Sequence, residues 1–109
     1  MVRVVSPNPR VLLEDIEQAI AENKITTWEE SSRGSFTHAT EQWRNKAWFR
    51  PTIDAEGVVF NIIRPKGGKV SRDAYAIYHG HFASMLLTHF DNKLKIIELT
   101  ALAAHGDLV

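Results

Sequence analysis

Residues 43–69 interleave aromatic and basic side chains. The candidate binding residues in this segment are Trp43, Arg44, Lys46, Trp48, Arg50, Arg64, Lys66 and Lys69. Aromatic faces stack on nucleic-acid bases, whereas Arg and Lys neutralise phosphates and release counterions. Because side chains alternate along a strand, Trp48 and Arg50 are expected on the same face of a strand over 47–53. The segment therefore predicts a basic-aromatic binding patch.

An ordinary sheet surface would explain the same residues. Tryptophan is usually largely buried, so Trp48 would then cover the open side of the sheet. Arg50 would be solvated or paired with Glu29 or Glu30. The two interpretations differ in whether the basic side chains form one patch.

The loop over residues 64–69 contains Pro65, two glycines and two lysines and leads into a helix that Ser71 can cap. Free backbone amides at a helix N-terminus, together with nearby lysines, attract anions. The loop lacks both the Walker spacing and the Gly-x-Gly-x-x-Gly pattern of nucleotide-binding proteins. Since Pro, Gly and Lys are typical of exposed turns, we expect a solvated turn, with an anion site as the alternative.

Histidine is the residue type best suited to proton transfer or metal binding, and the chain contains His38, His79, His81, His89 and His105. Positions 79 and 81 lie about 200° apart on a helix, whereas two histidines that bind one metal from a helix need a spacing near three or four. His89 falls on the apolar face of the same predicted helix and is expected to be a partly buried structural residue. The sequence therefore predicts no metal site and no cofactor.

A metal-independent ribonuclease would need a general base, a general acid and cations for the phosphate. The side chains that could supply these roles are His38, Arg50, Tyr75, Tyr78, His79 and His81. No nucleophile motif and no His-Glu-x-x-His pattern accompanies them. We therefore expect a non-enzymatic domain and keep the ribonuclease as an alternative.

The composition favours one small domain. The 109 residues are 44% hydrophobic and include no cysteine, which excludes disulfide scaffolds, thiolate metal clusters and cysteine nucleophiles. No apolar run approaches the ~18 residues of a membrane span, and the N-terminus lacks the apolar stretch of a secretory signal. We expect a soluble, cytoplasmic protein.

The net charge of zero hides an uneven distribution of charge. Residues 10–31 hold six acids and two bases, whereas residues 44–72 hold seven bases and two acids. From residue 73 onward, four acids face two bases. Such segregation predicts a polarised surface, which matters for association rather than for the fold.

Apolar spacing predicts two helices. The first follows the capping sequence Ser6-Pro7-Asn8-Pro9 and ends near Asn23, and the second is a long core helix over 71–90. The first helix carries four acidic residues, Glu14, Asp15, Glu17 and Glu22.

The strand signals predict two hairpins and a final strand. The hairpin strands cover 25–29 with 36–40 and 47–53 with 58–64, and the final strand covers 94–102. In the second hairpin, Gly57 is expected to have a positive φ, and Pro51 indicates an edge strand beside a central partner. Residues 103–109 are expected to be a loose C-terminal tail.

The element order α-β-β-β-β-α-β predicts a single two-layer α+β domain over residues 1–109, with an antiparallel-rich sheet and both helices on one face. We expect protein–protein association, in which the acidic helix or the basic hairpin meets a complementary surface or a second copy. The alternative is weak nucleic-acid binding by residues 43–72, which salt would weaken. Zero net charge offers no long-range attraction to a polyanion, so association with protein is the main expectation.

Overall fold

The chain forms one six-stranded antiparallel sheet and two long helices in a computed structural model that describes all of residues 1–109. The elements are β1 (Val2–Val5), α1 (Pro9–Ala21), β2 (Trp28–Glu30), β3 (Phe36–His38), β4 (Trp48–Ile53), β5 (Gly57–Ile63), α2 (Arg72–Phe90) and β6 (Ile96–Leu99). The sheet order is β2-β3-β4-β5-β1-β6, and a short 3-10 turn follows α2. The predicted α+β class is confirmed.

Strand β1 precedes the predicted order of elements. It lies inside the sheet, where Val2 pairs with Phe60 of β5 on one side and with Leu99 of β6 on the other. Val2 and Val4 are fully buried, whereas the residues between and after them are half-buried. This alternation is that of a strand, but four residues beside a helix-capping sequence are too few to reveal it.

Gly57 is required by a close approach of two strands and not by the positive φ that the sequence predicts. Its φ lies outside the positive range that Gly34, Gly67 and Gly106 adopt. A Cβ atom at position 57 would lie 1.7 Å from the carbonyl oxygen of Val4. Strands β1 and β5 therefore pair at a distance that excludes any side chain at this position.

Pro51 lies in β4, which has neighbours on both sides in the sheet order, although the sequence predicts an edge strand. Strand β3 pairs with β4 only where Phe36 meets Phe49. Beyond Phe49, β5 is the only neighbour of β4, so the missing N–H of Pro51 costs no bond to β3. Strand β4 thus has an open edge only beyond Phe49, whereas β5 is a central strand as predicted.

Both helices pack on the same face of the sheet. The Asn8 side chain accepts a hydrogen bond from the Val11 amide at the start of α1, and Asn23 adopts a φ of 59° just after its end. The Ser71 side chain caps α2 by accepting from the Ala74 amide. The shared core contains large buried side chains of both helices and of the sheet: Leu12, Ile16, Trp28, Phe36, Phe49, Phe60, Tyr78, Phe82 and Leu86.

The opposite face of the sheet, which we call the outer face, carries no helix. Paired residues on neighbouring antiparallel strands share a face, so Trp48 lies beside Ile63 and Arg50 beside Asn61 on this side. Acidic α1 covers the other side. Helix α1 and Arg50 therefore lie on opposite sides of the sheet.

Residues 103–109 return to the sheet and do not form the loose tail that the sequence predicts. Leu108 forms a parallel bridge to the end of β5. The buried carboxylate of Asp107 accepts a hydrogen bond from the Asn61 amide at 2.8 Å and pairs with the Met1 amino group at 3.0 Å. A single buried carboxylate thus anchors a segment that has no periodic apolar pattern.

Candidate functional sites

The fold divides the predicted basic-aromatic patch. Trp48 and Arg50 lie together on the outer face. Trp43 packs against the edge of the hydrophobic core instead. Arg44 forms an ion pair with Glu29 at 2.6 Å, so its charge is partly compensated.

The remaining bases of the predicted patch are all exposed and form no ion pair: Lys46, Arg64, Lys66 and Lys69. The loop over 64–69 is a turn in which the Gly68 amide donates to the Pro65 carbonyl at 3.0 Å. Gly67 has a φ of 75°, which favours glycine at that position. Arg64, Lys66 and Lys69 therefore extend from this turn, whereas Lys46 lies in the segment between β3 and β4.

Trp48 and Arg50 share a pocket with Arg33, which comes from the turn between β2 and β3. This outer-face pocket has a volume of about 450 Å³ and is lined by Arg33, Trp48, Arg50, Ile63 and the serines at 31, 32 and 35. A volume of this size is within the range of small-ligand pockets. The pocket combines two guanidinium groups, one indole ring and several hydroxyls.

The turn over residues 31–35 holds Arg33 at the pocket. The Ser31 hydroxyl accepts hydrogen bonds from the Arg33 amide at 3.3 Å and the Ser35 amide at 3.2 Å. Gly34 has a φ of 78°, which a residue with a side chain rarely adopts. The backbone of the turn is therefore held by its own hydrogen bonds.

Neither arginine of the outer-face pocket has an acidic partner. No carboxylate oxygen lies within 4.0 Å of the guanidinium nitrogens of Arg33 or Arg50. Glu29, one partner that the sequence suggests for Arg50, binds Arg44 instead. Both positive charges are therefore available to a ligand.

The sequence-based candidate set lacks Arg33. The polar turn Ser31-Ser32-Arg33-Gly34-Ser35 signals a hairpin end, but only the β2-β3-β4 order brings that end next to Trp48. A guanidinium group binds phosphate or carboxylate through paired N–H donors, and an indole face stacks on planar rings. The pocket is therefore suited to a ligand that has an anionic group beside a planar one.

His38 and His81 form a second candidate site. The Nε2 atom of His38 lies 2.8 Å from the Nδ1 atom of His81. His38 is buried in β3, whereas His81 is exposed on α2. The fold thus joins two of the three histidines proposed for acid–base chemistry.

A backbone amide determines which ring nitrogen of neutral His38 carries the proton. The Thr40 amide donates to Nδ1 of His38 at 3.2 Å, so this nitrogen is an acceptor. The remaining proton of neutral His38 is then on Nε2 and is donated to Nδ1 of His81. Burial, and secondly the charge of His81, lower the pKa of His38 and favour this neutral state.

The histidine pair opens on a cleft of about 420 Å³. No lysine or arginine lines this cleft, whose polar walls include Ser84, Thr88 and His89. Arg50, the cation suggested for phosphate binding, lies on the outer face, whereas the cleft lies beside α2 on the core side. The cleft contains a proton-transfer pair without the cations that a ribonuclease mechanism needs.

His79 lies in a different network, beside the amino terminus. Its Nδ1 donates to the Tyr75 carbonyl at 2.7 Å, and its Nε2 lies 2.8 Å from the Met1 amino group, which donates to it. Burial lowers the pKa of His79 to about 4, with a further contribution from the Met1 charge, against the opposing Tyr75 hydrogen bond. His79 is therefore neutral at physiological pH and serves as a hydrogen-bond acceptor.

The tyrosines proposed for acid–base chemistry have structural partners. The Tyr75 hydroxyl donates to the Thr100 carbonyl at 2.7 Å. The Tyr78 hydroxyl is buried and donates to the Trp43 carbonyl. Neither hydroxyl lines the histidine cleft.

His89 is exposed, although the sequence predicts a partly buried residue. The next residue, Phe90, is buried in its place and closes the apolar face of α2. His89 falls within the arc of the buried residues of α2 on a helical wheel, but it lies in the last turn of the helix, where it lines two open clefts.

No group of three or more His, Cys, Asp or Glu side chains is placed to hold a metal ion. Neither helix combines the length and apolar character needed to cross a membrane.

Comparisons with protein-family models, with curated proteins and with solved structures found no match. Function is therefore inferred from the geometry of the two candidate sites.

Proposed function

We propose that this protein is a binding domain whose outer-face pocket accepts a nucleotide unit of a single-stranded nucleic acid. The phosphate lies between Arg33 and Arg50, and the base stacks on Trp48. The observation that carries the proposal is the presence of two arginines without acidic partners in the same pocket as a half-buried tryptophan.

The anionic part of the ligand follows from the two guanidinium groups. Arginine matches phosphate oxygens in a bidentate manner, and such charge-assisted hydrogen bonds are stronger than neutral ones. The hydroxyls of Ser32 and Ser35 line the same pocket and add neutral donors. A doubly contacted phosphate is the anion best suited to this arrangement.

The planar part of the ligand follows from Trp48. Stacking of a base on an aromatic side chain contributes about 1–3 kcal/mol. A pocket of about 450 Å³ has room for one splayed base and its phosphate, whereas the bases of a duplex are stacked on one another and paired. Single-stranded nucleic acid is therefore favoured over duplex.

Fluorescence anisotropy at low salt tests the proposal, with labelled oligothymidylate, labelled duplex DNA and an acidic peptide as probes. We expect weak binding of the single strand, competition by free thymidine monophosphate and little competition by inorganic phosphate. Arg33→Gln and Arg50→Gln should each weaken binding about tenfold, because a hydrogen bond between charged groups is lost. Lys69→Gln removes the same charge outside the pocket and should have little effect.

Each other outcome has a definite meaning. Equal losses for Lys69→Gln and Arg50→Gln would show diffuse charge attraction and overturn the pocket as the site. Binding of thymidine monophosphate in titration calorimetry, without oligothymidylate binding, would overturn the single strand as the ligand and identify a free nucleotide instead. Binding of the acidic peptide alone would overturn the proposal in favour of a protein partner, the main expectation from the sequence.

A further inference from the structure

The outer-face pocket carries more positive charge than an internal phosphate can neutralise. Arg33 and Arg50 both line it, and no carboxylate oxygen lies within 4.0 Å of either guanidinium group. A phosphodiester inside a strand carries one negative charge, whereas a phosphomonoester at a strand end carries a charge of about −1.5 to −2 at pH 7. The two arginines therefore match a terminal phosphate better than an internal one.

Two hydroxyl groups of the same pocket are free to bind a ligand. The Ser31 hydroxyl accepts hydrogen bonds from the Arg33 and Ser35 amides. The Ser32 and Ser35 hydroxyls also line the pocket, but neither forms a hydrogen bond within the protein. A terminal phosphate has three oxygens that accept hydrogen bonds, and an internal phosphate has one such oxygen fewer. The arginines and these hydroxyls can therefore surround the free oxygens of a terminal phosphate.

The strands of the sheet offer no row of free cations along which a nucleic acid could run. The six strands contain only two Arg or Lys residues, Arg3 and Arg50. Arg3 pairs with Glu56 at 2.6 Å and with Asp54 at 3.5 Å, and it lies opposite Glu98 in the sheet. Its charge is therefore compensated. One site for one phosphate suits the end of a strand better than its middle.

We propose that the outer-face pocket binds the phosphorylated end of a single strand. The terminal phosphomonoester lies between Arg33 and Arg50, and the adjoining base stacks on Trp48. This inference rests on the proposed function and narrows it from any nucleotide unit to the terminal one. The pocket chemistry is the same for a 5′-phosphate and a 3′-phosphate, so the experiment includes both ends.

Fluorescence anisotropy at low salt tests this preference with oligothymidylates of equal length that carry the label on an internal base. One strand has a 5′-phosphate, one has a 3′-phosphate and one has hydroxyls at both ends. We expect weak binding of the hydroxyl strand and about tenfold tighter binding of a phosphorylated strand, because the added charge and oxygens form further charge-assisted hydrogen bonds.

A methyl-capped strand separates the charge of the terminal phosphate from its size. Methyl esterification of the terminal phosphate keeps the phosphorus atom but removes one charge and one free oxygen. We expect the capped strand to bind about as weakly as the hydroxyl strand.

Variants of the pocket test which side chains cause the preference, expressed as the affinity ratio of the phosphorylated strand to the hydroxyl strand. Arg50→Gln should abolish most of this ratio, and Ser35→Ala should lower it about threefold, because each removes a donor to the phosphate. Lys69→Gln removes a positive charge outside the pocket and should leave the ratio unchanged. Circular dichroism verifies that each variant is folded.

The outcomes separate this inference from the proposed function. Equal affinity for all strands, with a loss for Arg50→Gln, would overturn the end preference and leave the proposed function standing. Absence of binding by every strand would overturn the proposed function and this inference with it. Tight binding of the methyl-capped strand would contradict the preference for a doubly charged phosphate, as would a ratio that Lys69→Gln lowers as much as Arg50→Gln.

Discussion

Glu30 has an unusual protonation because it faces another carboxylate. Burial, together with a hydrogen bond to Glu17 and the charge of that residue, raises the pKa of Glu30 from 4.5 to about 7. Strand β2 and helix α1 place the two side chains together. Two neighbouring carboxylates cannot both be ionised without cost, so one of them retains its proton.

Replacement of Glu30 by glutamine should change the pH dependence of stability. Wild-type Glu30 stays protonated up to about pH 7 when folded but ionises near pH 4.5 when unfolded. Its favourable contribution is therefore present below pH 4.5 and is lost as the pH rises to 7. Glu30→Gln should become progressively more stable than the wild type over this interval.

Urea denaturation across the interval measures this difference. Because His79 titrates in both proteins, its opposite contribution between about pH 4 and 6.5 cancels in the comparison. Glu14→Gln, an exposed position on α1, should show no such trend. A stability difference that is independent of pH would contradict the shared proton.

At the level of elements, the central feature is the pairing of β1 with β5. The valines of β1 contribute two fully buried side chains to the core, and β1 also supports β6. This pairing depends on the absence of a side chain at Gly57. Gly80 in α2 is the contrasting case, because a Cβ atom added at this position would have open space around it.

Gly57→Ala and Gly80→Ala should therefore have opposite effects. The added Cβ at position 57 would meet the Val4 carbonyl and push β1 from β5, so we expect a loss of about 3 kcal/mol in the free energy of unfolding. The same change at position 80 should stabilise α2 by up to about 1 kcal/mol, because alanine favours helix.

Urea unfolding of both variants provides the measurement. A change smaller than about 0.5 kcal/mol for Gly57→Ala, within the range of ordinary surface substitutions, would show that β1 does not approach β5 so closely. A loss of stability for Gly80→Ala would show that another element packs against this side of α2.

At the scale of the whole molecule, zero net charge limits how a polyanion can be bound. The acidic helix and the outer-face arginines lie on opposite sides of the sheet, and because the charges of the chain cancel, the molecule has no overall attraction for a polyanion. Contacts at one small pocket must then supply most of the affinity.

The salt dependence of oligothymidylate binding should therefore be shallow. Each phosphate contacted in a single strand contributes a slope of about −0.7 to the plot of log affinity against log salt. One phosphate held in the outer-face pocket, with one neighbour, predicts a slope near −1.4. A slope steeper than about −3 would show that the exposed lysines also bind phosphates.

The helices and hairpins were predictable because their signals are short-range. Asn8 and Ser71 cap their helices as their positions indicate, and the apolar spacing of α2 places Tyr78 and Phe82 in the core. Strand β1 escaped prediction, since four residues carry too little periodicity. The position of the C-terminal segment was also not predicted, because a single buried carboxylate, that of Asp107, anchors it and no apolar pattern marks it.

The candidate sites were only partly predictable, because each joins residues that are far apart in the chain. Strand alternation correctly put Trp48 and Arg50 on one face. It could not add Arg33, which the strand order brings there, nor remove Arg44, which Glu29 neutralises. Likewise, helix geometry separated His79 from His81 but could not show that His38 meets only the latter.

The sequence by itself thus determined the helices, most strands and the turns, because the spacing of apolar, capping and turn residues acts over only a few positions. The strand order, the pocket on the outer face and the histidine pair depended on tertiary structure. Their physical basis is the joint burial of apolar surface by distant strands and helices, which decides which edges meet. The polar side chains of the two sites lie where these strands and helices place them. Their spacing in the sequence therefore does not show which of them come into contact.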